Sequence, residues 1–147
     1  MIDKIKKIRE ATGLSMAEIK KALDEAQGDE TKALELLQKI GGAMADKKAS
    51  RTVKEGLVSS YIHSTGKMGV LLEVLCETDF VARNEAFKSL AHDLSLHIAA
   101  MKPESADDLL AQPFVKDPNI TIKDLLNQSV AKLGENIQIG RFQIFEI

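Results

Sequence analysis

The chain has 147 residues, enough for one ordinary core or for one core and a small appended module. Hydrophobic residues make up 44% and charged residues 29%, a globular balance that excludes a disordered chain. The net charge of −2 gives no global electrostatic case for nucleic-acid binding, and no apolar run approaches the ~20 residues that a membrane span needs.

The segment Met1-Ile2-Asp3-Lys4-Ile5-Lys6-Lys7 is charged throughout and lacks the apolar stretch of a secretory signal, while Asp3, Glu10 and Glu18 argue against a transit peptide. The first helix carries Ile2, Ile5 and Ile8 at a spacing of three and stops near Thr12-Gly13. Ser15-Met16-Ala17-Glu18 is a capping box that opens the second, with Leu14 and Ile19 placed as a hydrophobic staple. Its inner face is Met16, Ile19, Leu23 and Ala26, and it ends at Gly28. Asp29 caps the third helix, whose apolar face is Ala33, Leu34, Leu36, Leu37 and Ile40 and whose stop is Gly41-Gly42. Residues 1–42 therefore read as a three-helix bundle, either an independent module or a plain helical cap on a larger domain. Residues 43–54 read as a linker or frayed helix; Lys47, Lys48, Arg51 and Lys54 there form a solvated face or a basic contact strip.

From residue 55 to 147 the pattern becomes α+β. Gly56 to His63 alternates as a strand, Ser64-Thr65-Gly66-Lys67 is a hairpin turn, and Met68 to Cys76 follows as a strand apolar on both faces, hence central. Cys76-Glu77-Thr78-Asp79-Phe80-Val81-Ala82-Arg83-Asn84 then links this strand to a helix over Ala86 to Met101, which shows its apolar residues at Phe87, Leu90, Ala91, Leu94, Ile98 and Met101. Thr78, Asp79 and Asn84 are capping residues around one large apolar side chain, Phe80. On the residues alone, Phe80 either protrudes from the bend or folds back under the helix as core. Lys102-Pro103 ends the long helix, Asp107 to Ala111 gives a short one, and Pro113 and Pro118 bracket an irregular stretch. Thr121 caps a helix to Leu133 that turns Leu125, Leu126, Val130 and Leu133 inward and ends at Gly134. Asn136 to Ile147 is a strand whose apolar parity changes between Ile137, Ile139 and Phe142, Ile144, so a β-bulge is expected near Gly140-Arg141. Three antiparallel strands with helices on one face result.

Enzymatic chemistry finds little support. His92 and His97 are five apart on a helix and diverge by roughly 140°, and neither they nor His63 supply a metal-binding spacing. Cys76 lies in a central strand, where a buried structural thiol competes with a nucleophile, and as the single cysteine it excludes an internal disulfide and fits a reducing compartment such as the cytoplasm. No glycine-rich phosphate loop is present, so neither a nucleotide nor any other cofactor is expected. An exposed Phe80 flanked by Asp79, Val81 and Arg83 would instead form a compact protein-binding hot spot. Two other classes stay open: an adaptor that holds peptides through the bundle alone, and a small hydrolase built on Cys76 or Asp79.

Four ordered segments resemble the elongation factor Ts family. They are Thr12-Gly13 with Lys20-Lys21-Ala22-Leu23; Glu55-Gly56-Leu57-Val58 through Tyr61-Ile62-His63; Glu77-Thr78-Asp79-Phe80-Val81-Ala82-Arg83-Asn84; and Gln112-Pro113-Phe114-Val115-Lys116-Asp117 with Gly134-Glu135-Asn136-Ile137. Together they span nearly the whole chain. The resemblance implies a ubiquitin-associated-like N-terminal bundle and a non-enzymatic guanine-nucleotide exchange factor for the translational GTPase elongation factor Tu. In that family the Asp-Phe pair enters the GTPase domain near its Mg²⁺ site. Carried onto this chain, Phe80 is the wedge, Asp79 and Asn84 orient the loop, and Thr78, Val81, Ala82 and Arg83 complete the contact. The N-terminal module would dock through Ala11, Thr12, Gly13, Leu14, Met16 and Lys20. The last third resembles the region that touches the far domain of the partner. Longer family members carry a large insertion before the Gln-Pro-Phe-Val-Lys-Asp motif, where only Pro103 to Ala111 stands here. A single small sheet then leaves a face poorly covered, so a homodimer is expected, with a monomer as the alternative.

Overall fold

A computed structural model describes all 147 residues. Its first helices, α1 (Ile2–Thr12) and α2 (Met16–Glu25), form as their end signals dictate. Ser15 accepts from the Glu18 amide and the Glu18 carboxylate accepts from the Ser15 amide, closing the capping box. Asp29 caps α3 (Glu30–Lys48) by accepting from the Lys32 amide. The small core between them is Ile5, Ile8, Leu14, Ile19, Ala22, Leu23, Ala26, Ala33 and Leu37. Met16, expected inside, is exposed, and Ala22 takes the inward position; Leu34 and Ile40 also reach solvent.

The expected stop at Gly41-Gly42 is absent, because α3 continues to Lys48. The boundary expected at residue 42 thus falls inside a helix, and only residues 49–54 lack regular structure. Packing explains the glycine. A Cβ on Gly41 would lie 3.3 Å from the Asn127 carbonyl oxygen, so its missing side chain lets α3 lie close against α7 (Ile122–Leu133). Lys48 Nζ donates to the Gly134 carbonyl (2.7 Å) across the same junction.

The larger unit is built on β1 (Glu55–Ile62), β2 (Met68–Cys76) and β5 (Gln138–Glu146), all antiparallel, with β2 in the centre. Leu72 pairs with Phe142 and Val74 with Ile139, so Gly140 and Arg141 together oppose Glu73: the expected bulge lies there. Val70, Leu72, Val74 and Cys76 point to the inner face, where α5 (Glu85–Met101) covers them with Phe87, Leu90, Leu94 and Ile98, and α7 adds Ile122, Leu126 and Val130. The outward residues of β2 do not find the same cover, and Leu71 is half exposed.

Three details differ from the sequence expectations. The junction after β2 is a one-turn helix, α4 (Asp79–Ala82), rather than an open bend. The short helix α6 spans Ala106–Ala111. The stretch expected to be irregular forms a small hairpin, β3 (Pro113–Phe114) with β4 (Asp117–Thr121). No helix is long and apolar enough to cross a membrane.

Candidate functional site

The α4 turn owes its shape to competing demands on successive side chains. Thr78 caps it, its hydroxyl oxygen accepting from the Val81 amide. Val81 and Ala82 are buried beneath the turn. Phe80, between cap and anchors, faces the opposite way and is 83% exposed, the most exposed aromatic ring of the chain. Burial of an aromatic ring is ordinarily favourable, so a ring held in water on an ordered turn is a candidate contact residue. Asp79 is not the cap; its carboxylate pairs with the Arg83 guanidinium one turn on (2.7 Å), in the open. Asn84 caps the next helix, accepting from the Ala86 amide (2.8 Å).

Thr78 to Asn84 thus form one continuous segment, of which not every member presents a side chain. Phe80, Asp79, Arg83 and Asn84 do. Val81 and Ala82, expected to widen the contact, are core residues instead, because α4 turns their side chains under Phe80.

The turn is held from behind by residues to which the sequence expectation gives no such role. Glu135 Oε1 accepts from the amides of Glu77 and Thr78 (3.0 Å each), and Oε2 accepts from the Thr78 hydroxyl (2.6 Å). In return, Glu77 Oε2 accepts from the Asn136 amide (2.7 Å) and lies 3.7 Å from the Arg51 guanidinium. Asn136, itself buried, donates from Nδ2 to the Arg51 carbonyl (2.8 Å). Two carboxylates and an amide therefore tie together the end of β2, the end of α7 and the segment that follows α3. Their only trace in the sequence is the cluster Gly134-Glu135-Asn136, polar residues directly after a helix stop.

Cys76 closes the site from below. It is fully buried, its Sγ–H donates to the Thr78 carbonyl (3.2 Å), and burial, reinforced by the Glu135 charge, pushes the thiol up to about 11. A thiol that stays protonated at neutral pH is no nucleophile. No cluster of metal-ligating side chains occurs.

The residues expected on the N-terminal module occupy the turn between α1 and α2 and its surroundings. Thr12 Oγ1 donates to the Ile8 carbonyl (2.8 Å) and accepts from the Leu14 amide (3.3 Å), so it shapes the turn. Gly13 takes the left-handed conformation under the Lys132 side chain. Leu14 is buried in the bundle and, unlike the expectation, offers only an edge at a cleft wall. Ala11, Thr12 and Leu14 line a cleft of about 600 Å³ against Phe114, Ile120 and Ala131. Met16 and Lys20 face solvent.

A family profile described as Elongation factor TS matches residues 77–147. Relatives match over nearly the whole chain. An elongation factor Ts from Carboxydothermus hydrogenoformans is 42% identical across 97% of this chain and 87% of its own length. One from Thermotoga maritima is 40% identical across 99% and 95%. One from a Nostoc species is 47% identical across 97% of this chain but 45% of its own length. The first two alignments run over 188 and 189 positions against 147 residues here, so those relatives carry residues that this chain lacks.

Proposed function

The chain belongs to the elongation factor Ts family, and from that premise we propose that it is a guanine-nucleotide exchange factor that promotes GDP release from elongation factor Tu during translation, working in the cytoplasm and without covalent catalysis. The single observation that carries the reading is Phe80, an apolar ring 83% exposed on a turn whose neighbours are capped and buried. Exchange requires a surface that binds the nucleotide-free GTPase better than the GDP-bound one. By linkage, the factor then weakens GDP as strongly as GDP weakens the factor, at about 1.4 kcal/mol of differential contact per tenfold.

The Asp79-Phe80 step supplies such a contact by entering the nucleotide domain beside its Mg²⁺ site. The ring loses water only when the partner's elements move to admit it. Full burial of Phe80 contributes about 1.5–3 kcal/mol, enough for a ten- to hundredfold effect on GDP affinity. Arg83 holds Asp79 in register at the rim. Ala11, Thr12, Gly13, Met16 and Lys20 form a second docking area on the N-terminal bundle, in which Leu14 acts as support. The exposed face of the sheet is assigned to a second copy of the chain, giving a homodimer.

Release of a fluorescent GDP from elongation factor Tu tests the reading. The protein at micromolar concentration is expected to accelerate release, and Phe80→Ala to slow it about ten- to hundredfold with little change in unfolding free energy. No acceleration by the unmodified protein would discard the assignment. An intact rate with Phe80→Ala would move the exchange surface elsewhere.

A further inference from the structure

We propose that Glu135 is a positioning residue of the exchange surface: its carboxylate clamps the Glu77-Thr78 backbone and so fixes the direction in which Phe80 leaves the subunit. The inference rests on the exchange reading above and adds to it a residue 55 positions away in sequence from the ring. Three donors converge on one carboxylate, two backbone amides on Oε1 and the Thr78 hydroxyl on Oε2. Bonds to an ionised acceptor are about twice as strong as neutral ones.

The connection to Phe80 runs in series. Thr78 gives its hydroxyl proton to Glu135 and uses a lone pair of the same oxygen to cap α4 at the Val81 amide. Removing the carboxylate frees that hydroxyl to rotate, and the cap loses its orientation. Glu135 itself stands on firm ground. Gly134, left-handed at φ 78°, ends α7, and α7 is bound to the core by Ile122, Leu126 and Val130. Buried Val81 and Ala82 fix how deep the turn sits, but two apolar anchors do not fix its tilt; the clamp at its entrance does. Without it, Phe80 would sample several directions, and the partner would have to select one at a cost in effective affinity.

The experiment is a double-mutant cycle on GDP release from elongation factor Tu, with the full chain as wild type, F80A, E135A and the double variant, each checked for native folding. E135A is expected to slow exchange about tenfold in the wild-type background, and the double variant to be within about twofold of F80A alone. E135Q keeps an oxygen for the two amides but turns an NH2 toward the Thr78 hydroxyl, which it cannot accept from, so it is expected to recover part of the rate. Amide hydrogen exchange of Thr78 and Val81, read without any partner, is expected to rise in E135A. If the F80A and E135A losses multiply, or if Thr78 and Val81 stay protected, Glu135 is only a structural residue and the inference is overturned while the exchange reading stands. If F80A leaves exchange unchanged, the exchange surface lies elsewhere and this role of Glu135 falls with it. A Gln variant as slow as Ala would mean that the two amide bonds hold nothing, and would overturn it too.

Discussion

At the scale of single residues, the molecule separates positions that hold from positions that touch. Phe80 and Val81 are adjacent, yet one is 83% and the other 4% exposed. His97 is a holding residue of another kind. It is fully buried on α5, its Nε2–H donates to Gln112 Oε1 (2.9 Å), and its Nδ1 accepts from the Val115 amide (3.1 Å). The bond from Val115 requires the neutral ring, because a protonated Nδ1 cannot accept. The nearby Phe114 ring is apolar, and the Lys116–Asp93 ion pair lies outside at the surface. Burial lowers the His97 pKa below the ordinary 6.5, against a smaller raising effect of Gln112. The sign follows from proton binding: below about pH 6.5 the unfolded chain takes up a proton that the folded one refuses. The contribution of His97 is therefore complete above that pH and declines as pH falls through the lowered folded value. Urea unfolding between pH 5 and 7.5 is expected to show this decline, and His97→Gln to flatten it. The variant should also be less stable at pH 7.5 by about 1–3 kcal/mol, since the β3–β4 hairpin loses its hold on α5. An unchanged slope in the variant would place the titration on another group.

At the scale of elements, what the sequence made legible was what a few neighbouring residues decide. The capping box at Ser15, the caps at Asp29 and Thr121, the turn at Gly66 and the bulge opposite Glu73 all rest on local chemistry, and all stand where the pattern puts them. The protruding Phe80 was one of two readings, and the burial of Val81 and Ala82 on the far side of α4 decides it. The Glu135 clamp is not legible in the sequence because it joins residues 57 and 58 apart, and polar residues after a helix stop read equally well as loop. Gly41 departs from its expected role for the same reason. A glycine can end a helix or admit a neighbouring one, and only the presence of α7 tells which. The two adjacent glycines now make a test. At Gly42 an added Cβ meets only the Asn127 amide nitrogen at 3.6 Å, so Gly42→Ala is expected to stabilise the chain by about 0.5–1 kcal/mol through helix propensity. At Gly41 the carbonyl of Asn127 is already 3.3 Å away, and Gly41→Leu should push α3 off α7 at a cost of about 1–3 kcal/mol. Chemical denaturation of both variants reads the contrast. Equal effects would mean that the bundle does not lean on the core through this contact.

At the scale of the whole molecule, the sheet has one side too many. The helices cover one face of β1-β2-β5, while Val58, Ile62, Leu71 and Phe145 stand more than half exposed on the strands and Ile147 is free at the chain end. Register gathers them, since Gly69 lies between Ile62 on one neighbouring strand and Phe145 on the other. Gly69 also leaves room for Ile62, whose Cδ1 is 2.7 Å from where a Cβ would stand. The result is an apolar platform crossed at one end by the Glu73–Arg141 ion pair (2.7 Å), which holds the Glu73 carboxyl down at about 2. A central strand apolar on both faces suits a sheet covered twice, and here one chain covers it once. A second copy is the proposed cover, because a two-fold axis lets the same platform meet itself. In such an interface each side chain counts twice. Burying Phe145 contributes about 1.5–3 kcal/mol per copy, so Phe145→Lys removes about 3–6 kcal/mol from the dimer and raises its Kd about a hundred- to ten-thousandfold. Sedimentation equilibrium at micromolar concentration is expected to give a dimer for the unmodified chain and a folded monomer for Phe145→Lys. A monomeric wild type would leave this face to another partner. Because Phe80 projects from α4 and not from the platform, the monomeric variant is expected still to promote GDP release from elongation factor Tu, and its rate per chain measures what the second copy adds.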